Sequence, residues 1–252
     1  MSGTDSPDEA LRVLAIAAHP DDTDFTAGGT IASWTGAGAE VTYLVLTDGS
    51  GGGEDPAVPR ADLAARRERE QRDAAAVLGV KDVRFLGHQD GLLRPDAALR
   101  RQIVRVIRQT RPHRAVIQSP EINWAFLPDL HADHRAAGEA SLAALYPDAR
   151  NPRAFPELLL EEGLAPWSVP EIWVTTGPRP DTRVEVTETF EQKLTALRAH
   201  VSQTAHRDRL REDVRAKLAG QAALGGLAPG RLAEAFQVIR TDAAAPAASS
   251  QP

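Results

Sequence analysis

The stretch LRVLAIAAHPDDTDFTAGG, residues 11–29, decides how this chain folds. Apart from Arg12, its first eight residues are apolar rather than alternating, the pattern of a strand covered on both faces in a helix-flanked parallel sheet. The run stops at His19, and Asp21, Asp22 and Asp24 crowd in behind it. Carboxylates this close repel one another and lose hydration beside a core, so something positive usually compensates them. Two readings fit: a solvated turn whose aspartates cap the next helix, or a metal site.

Working outward, VTYLVLT (41–47), DVRFLG (82–87) and RAVIQS (114–119) are branched apolar runs bounded by Gly, Pro or Asp, and they read as further strands. Helical stretches are expected between them, at about 28–38, 60–79, 96–111 and 134–146. Strand then helix, repeated four times, predicts βαβ units and an α/β, Rossmann-like three-layer sandwich with a mostly parallel sheet. After residue 147 a Pro- and Gly-rich section runs to 170, where a long ordered loop is expected to shape a binding site. Two more strands (171–176 and 183–187) and two terminal helices (190 to about 221, and about 229–239) complete the reading. One domain is expected over 10–240, with disordered ends at 1–9 and 241–252.

Composition narrows the function. A formal net charge of −6 with no basic block argues against a nucleic-acid partner. With no cysteine, thiol nucleophiles, disulfides and Cys-type zinc fingers are excluded. No apolar run approaches the length of a membrane span, and MSGTDSPDEA lacks the features of a signal peptide, so a cytoplasmic protein is expected. Apolar positions in the last two helices leave room for a homo-oligomer interface.

Polar clusters follow each strand: HPDDTD at 19–24, TDGSGGGED at 47–55, GHQDG at 87–91 and SPEINW at 119–124. In a parallel sheet all strand carboxyl ends share one edge, where ligands bind. A fifth segment, LPDLHADHRAAGEA (127–140), places His131 and His134 three apart at a helix start, with Asp129 or Asp133 near its N-cap. Three of the seven histidines (His19, His131, His134) therefore fall in two acidic clusters. His, Asp and His from two loops would supply the three protein ligands of a catalytic zinc, and such a set also accepts Fe2+, Co2+ or Mn2+. GSGGGED lacks the ending of a phosphate-binding loop and reads as a flap. AGGT (27–30) reads as an allowance for close packing.

AHPDD after the first strand, TDG after the second and a later HADH resemble the PIG-L/LmbE-like metal-dependent N-deacetylases. The likeness extends through Arg67-x-x-Glu70-x-x-x-Ala74-x-x-x-Leu78-Gly79-Val80 and FLGHQDG, and through Lys193-x-x-Ala196-x-x-x-His200-x-Ser202-Gln203. It implies that His19, Asp22 and His134 bind zinc and that Asp21 is the general base. It further implies that His131 stabilises the oxyanion or protonates the leaving amine, with Asp133 orienting it, and that Arg67 and Asp90 face sugar hydroxyls. Spacing alone does not distinguish the base from the ligand. Two positions depart from the family pattern: Thr23 stands where Glu is frequent, and Ser50 where an acid commonly follows T-x-G. Trp124 and Phe126 are candidates to line an acceptor pocket, or to pack ordinarily. The expected activity is removal of an acyl group, most simply acetyl, from a small amino-sugar-type metabolite or conjugate. A thiol-conjugate amidase, another metal hydrolase on the same residues, or a non-catalytic metabolite-binding protein are the rivals.

Overall fold

The computed structural model describes residues 10–53, 55–124 and 131–242. A seven-stranded sheet has the order β3-β2-β1-β4-β5-β7-β6, with β1 (Arg12–Ala17), β2 (Glu40–Thr47), β3 (Asp82–His88), β4 (Arg114–Gln118), β5 (Glu171–Thr175), β6 (Thr182–Glu185) and β7 (Ala233–Arg240). The first five strands are parallel, and β7 runs antiparallel between β5 and β6. The α/β sandwich with a mostly parallel sheet is thus the fold.

The alternation of side chains along β1 explains its apolar character. Leu14, Ile16 and Ala18 enter one core with the helices α3 (Ala97–Thr110) and α4 (Ala132–Ala143). Val13 and Ala15 enter the opposite core with α1 (Asp22–Gly36), α2 (Arg60–Val77) and α6 (Phe190–Ala199). Both faces are dry, so neither can be polar. A third cluster joins Val186, Phe190, Leu194 and Leu197 to Leu210, Val214 and Leu218 of α8 (Leu210–Leu224).

Four elements differ from the sequence reading. The first helix starts at Asp22 rather than near residue 28, because its two acids sit in the first turn, where the helix dipole favours them. The expected helix 190–221 is three, α6, α7 (Val201–Thr204) and α8. The expected terminal helix at 229–239 is instead strand β7. The 147–170 segment, with a one-turn helix α5 (Pro156–Leu160), does not line the large cavity described below. It packs on α3, whose Arg108 donates to the carbonyls of Ala149, Asn151 and Ala154. The expectations for residues 1–9, Phe126, Asp129 and residues 243–252 lie outside the described residues. Thr241, placed in the expected tail, bonds through its N–H to Pro170 O at 3.0 Å.

The order 3-2-1-4-5 reverses direction between β1 and β4, so the crevice at the strand carboxyl ends lies there. The loop after β1 carries His19 to Asp22, and α4, which follows β4, carries His134. Their separation is set by how closely α4 approaches β4. At Gly138 an added Cβ would fall 2.5 Å from Gln118 O and 2.7 Å from Pro120 N, both backbone atoms. Gly138→Ala is therefore expected to destabilise by about 1–3 kcal/mol, despite a helix-propensity gain of roughly 1 kcal/mol. Urea unfolding measures this, and an unchanged midpoint would show that α4 can move freely.

Candidate active site

Donor atoms from three residues meet at the crevice. His19 Nδ1 lies 3.2 Å from His134 Nε2 and 3.4 Å from Asp22 Oδ2, and His134 Nε2 lies 3.2 Å from Asp22 Oδ1. Ligands about 2.0–2.1 Å from a tetrahedral zinc stand about 3.3 Å apart, so the spacing fits a metal ion. The chemistry agrees. Burial opposes protonation of His19, yet Asp22, Asp133 and Asp90 around it push its pKa up to about 12. Burial likewise opposes ionisation of Asp22, and His134 and His19 outweigh it, holding the carboxyl well below its usual range. The cluster is built to hold positive charge where its donors converge.

The His19 ring divides its two nitrogens. Nδ1 faces Asp22 and His134, whereas Nε2 faces Asp90 Oδ1 at 3.1 Å and Asp133 Oδ2 at 3.3 Å. A second geometric donor group, His19 with Asp90 and Asp133, uses this other side. Those carboxylates are already engaged by backbone donors: Asp133 accepts from the N–H groups of Gly91 and Leu93, and Asp90 from that of Gly51. Burial would raise Asp90, but His19, the Gly51 N–H and Arg67 bring its pKa down to about 2. Fixed carboxylates on Nε2–H leave the Nδ1 lone pair for a metal, the usual outer-shell arrangement of a ligand histidine. The Nδ1 side is therefore the better metal site. His131 with His19 and His134 forms another geometric group, but His131 Nδ1 already accepts the Asp133 N–H at 3.2 Å.

That bond shows by which atom Asp133 meets His131: its backbone N–H donates to the His131 ring, while its carboxylate faces His19. With Nδ1 accepting, a neutral His131 carries its proton on Nε2. Burial and the neighbouring His19 and His134 lower its pKa, which favours the neutral ring. Arg67 and Asp90, expected to face sugar hydroxyls, are both buried. The guanidinium of Arg67 donates to Gly49 O at 2.8 Å and Pro20 O at 2.7 Å, beneath the glycine flap rather than toward an open pocket. Gly52 packs directly on it, which only a residue without Cβ permits. Ser50 is buried, and its Oγ has no partner among the described residues.

Asp21 and Asp22 both line a cavity of about 1140 Å³, with His134 and Gln118, that extends past Phe25 to α8. A smaller cavity of about 360 Å³ near Arg198 and Arg211 shares none of these carboxylates and histidines. Burial pushes Asp21 up to about 6, against the opposing pull of Arg67. Trp124 is 77% exposed, so it is no core residue, and its neighbour Asn123 lines the cavity.

Sequence reasoning missed the residues behind the site. Asp24 is fully buried and bonds His200 Nε2 at 2.7 Å, Gln71 Nε2 at 2.9 Å and the Tyr43 hydroxyl at 3.0 Å. Lys193 and Glu234 form a 2.7 Å ion pair, each 1% exposed. Glu234 accepts from the N–H groups of Gly29 and Thr30, and Lys193 donates to the carbonyls of Asp24 and Phe25, so the pair grips α1 just behind Asp22. The available signal was the spacing of Arg67, Glu70, Gln71 and Ala74, which share one face of α2 and are all buried. AGGT does allow close approach: Gly28 meets Lys193 and Gly29 meets Val186.

Comparison with known proteins gives the same direction. Residues 14–145 match the family model described as PIG-L: GlcNAc-PI de-N-acetylase. A diacetylchitobiose deacetylase of Thermococcus kodakarensis is 36% identical over 77% of this chain and 71% of its own. A Bacillus anthracis protein named as a probable N-acetyl-alpha-D-glucosaminyl L-malate deacetylase is 34% identical over 77% of this chain and 82% of its own. The solved structure of N,N'-diacetylchitobiose deacetylase from Pyrococcus horikoshii, in complex with an inhibitor, superposes with a TM-score of 0.84 at 28% identity, covering 92% of this chain and 85% of that one. No helix among the described residues is long and apolar enough to cross a membrane.

Proposed function

The chain belongs to the PIG-L de-N-acetylase family, and from that premise we propose that it hydrolyses the N-acetyl amide of an amino-sugar conjugate, with zinc held by His19, Asp22 and His134. The observation that carries this reading is the convergence of donors from His19, Asp22 and His134, 3.2–3.4 Å apart, beside the half-buried Asp21 carboxylate. Held there, the metal would supply Lewis-acid polarisation of the amide carbonyl and activation of water near neutral pH. Asp21 takes the proton from the attacking water, its pKa of about 6 suiting a base that must later return the proton. His131 donates Nε2–H to the developing oxyanion as the carbonyl becomes tetrahedral. When the C–N bond breaks, Asp21 delivers its proton to the departing nitrogen, giving an amine and a carboxylic acid, whose proton then passes to the amine to leave a carboxylate and an ammonium. Asp133 and Asp90 hold His19 so that Nδ1 stays a lone-pair donor.

The names of the relatives support an N-acetylated amino sugar carrying a further group as substrate. The test is metal analysis with amine release measured over a panel of N-acetylated amino-sugar conjugates. About one metal per chain is expected. His134→Ala should lose that metal and lower amine release at least about a hundredfold, in line with removal of a Lewis acid. Release that survives exhaustive chelation would overturn the metal reading. A metal-loaded protein inert on the whole panel would overturn the substrate class.

A further inference from the structure

Arg67 and Gln71 stand one helical turn apart on α2, 3% and 1% exposed, and each bonds the loop that carries the base. Arg67 Nη2 donates to Pro20 O at 2.7 Å, and Gln71 Oε1 accepts the Asp21 N–H at 2.8 Å. These two atoms belong to one peptide plane, the one between Pro20 and Asp21. The plane is therefore gripped at both polar ends. Its orientation relative to the Asp21 Cα is the torsion φ of Asp21, which is 87°, in the left-handed region that L residues seldom occupy. The Gln71 amide cannot turn around, because its Nε2 donates to Asp24 Oδ2, and Asp24 is itself held by His200 and Tyr43. The result is that two successive carboxylates, Asp21 and Asp22, both line one cavity, whereas successive residues of an extended chain point opposite ways.

We propose that Arg67 and Gln71 are positioning residues that clamp the Pro20–Asp21 peptide and so aim the Asp21 carboxylate into the cavity. The inference rests on the reading of Asp21 as the base. It also gives Arg67 a task other than contact with sugar hydroxyls.

A double-mutant cycle on kcat tests it, with the metal-loaded protein and the most rapidly hydrolysed conjugate of the panel. Gln71→Met keeps side-chain length but removes both hydrogen bonds. It should lower kcat about a hundredfold, the usual cost of misplacing a reacting group by about 1 Å, with KM and metal content within about twofold of wild type. In an Asp21→Asn background the same change should alter kcat by less than about twofold, because the group it aims is already gone. An equal loss in both backgrounds, or no loss in either, would overturn the clamp. If Gln71→Met fails to fold, Gln71→Asn, one methylene too short to span Asp24 and Asp21, is expected to give the same pattern. Arg67→Lys separates the two tasks of Arg67: a clamp lowers kcat at constant KM, and a sugar ligand raises KM instead. If Asp21→Asn alone retains wild-type activity, the assignment of the base falls and the clamp falls with it, a failure visible before any Gln71 variant is made.

Discussion

Asp21→Asn should abolish most amine release, lowering kcat by about 10²–10⁴-fold, the span typical of losing a general base, while the protein keeps its metal and its stability. The substitution takes from the Arg67 guanidinium a carboxylate 3.5 Å away, but Pro20 O and Gly49 O remain to accept from it. Asparagine has the size of aspartate and is among the few L residues that accept the left-handed conformation this position adopts, so the backbone has no reason to move. It also removes a negative charge that Asp22 disfavours, which leaves the metal ligands at least as well arranged. A binding protein without turnover would tolerate the change, since holding a ligand does not need an ionised carboxylate beside the metal ligands. Metal analysis and steady-state kinetics on the purified variant decide between them. Activity within about threefold of wild type would remove Asp21 from the mechanism.

Glu234→Ala should produce the largest loss of stability, about 3–5 kcal/mol, the usual cost of stripping one partner from a buried ion pair. Domains are stable by only about 5–15 kcal/mol in total, so the variant should stand near the edge of folding at room temperature. Two costs coincide. The Lys193 ammonium is left buried with only the Asp24 and Phe25 carbonyls to satisfy it, and the N–H groups of Gly29 and Thr30 lose their acceptor. The double substitution Lys193→Met with Glu234→Leu should recover a large part of that loss. With the ammonium gone, the Asp24 and Phe25 carbonyls are free to serve the N–H groups of α1 itself. Denaturant midpoints of the single and double variants measure this directly. A double variant less stable than the single one would mean that the pair contributes net stability, and that the helix cannot supply its own bonds there.

Much of the fold was legible in the sequence because buried parallel strands announce themselves. LRVLAIAA, VTYLVLT and RAVIQ have no polar face to confuse with a helix, and Gly79 and Asp96 mark where α2 ends and α3 begins. β7 was illegible for the opposite reason. The run LAEAFQVIR mixes good helix formers with branched residues, and its strand form is imposed by hydrogen bonding to β5 on one side and β6 on the other. The break in the expected 190–221 helix is also tertiary in origin: His200 turns away from the helix because its ring is bonded to Asp24, 176 residues earlier. At the site, residue types marked the chemistry proposed around His19, Asp22 and His134, since histidines and carboxylates in acidic loops are conspicuous. The supporting residues were not conspicuous. Gln71 sits within REREQRD, where a charged helix surface is the obvious reading, and only the spacing of Arg67, Glu70, Gln71 and Ala74 along one helix face speaks against it.

The placement of β7 bears on how the molecule is made. The last strand does not add to an edge; it is threaded between β5 and β6, and it brings Glu234 to a helix whose bonded residues lie 204 and 205 positions earlier. On a ribosome, then, the βα units through β5 can collapse as they emerge, but the helix behind Asp22 stays ungripped until Glu234, 204 and 205 residues beyond its partners, has been synthesised. Contacts this distant in sequence are slow to form, and until they do, β5 exposes an unpaired edge of the kind that invites aggregation. The loop that carries Asp21 and Asp22 is made well before the strand that secures it.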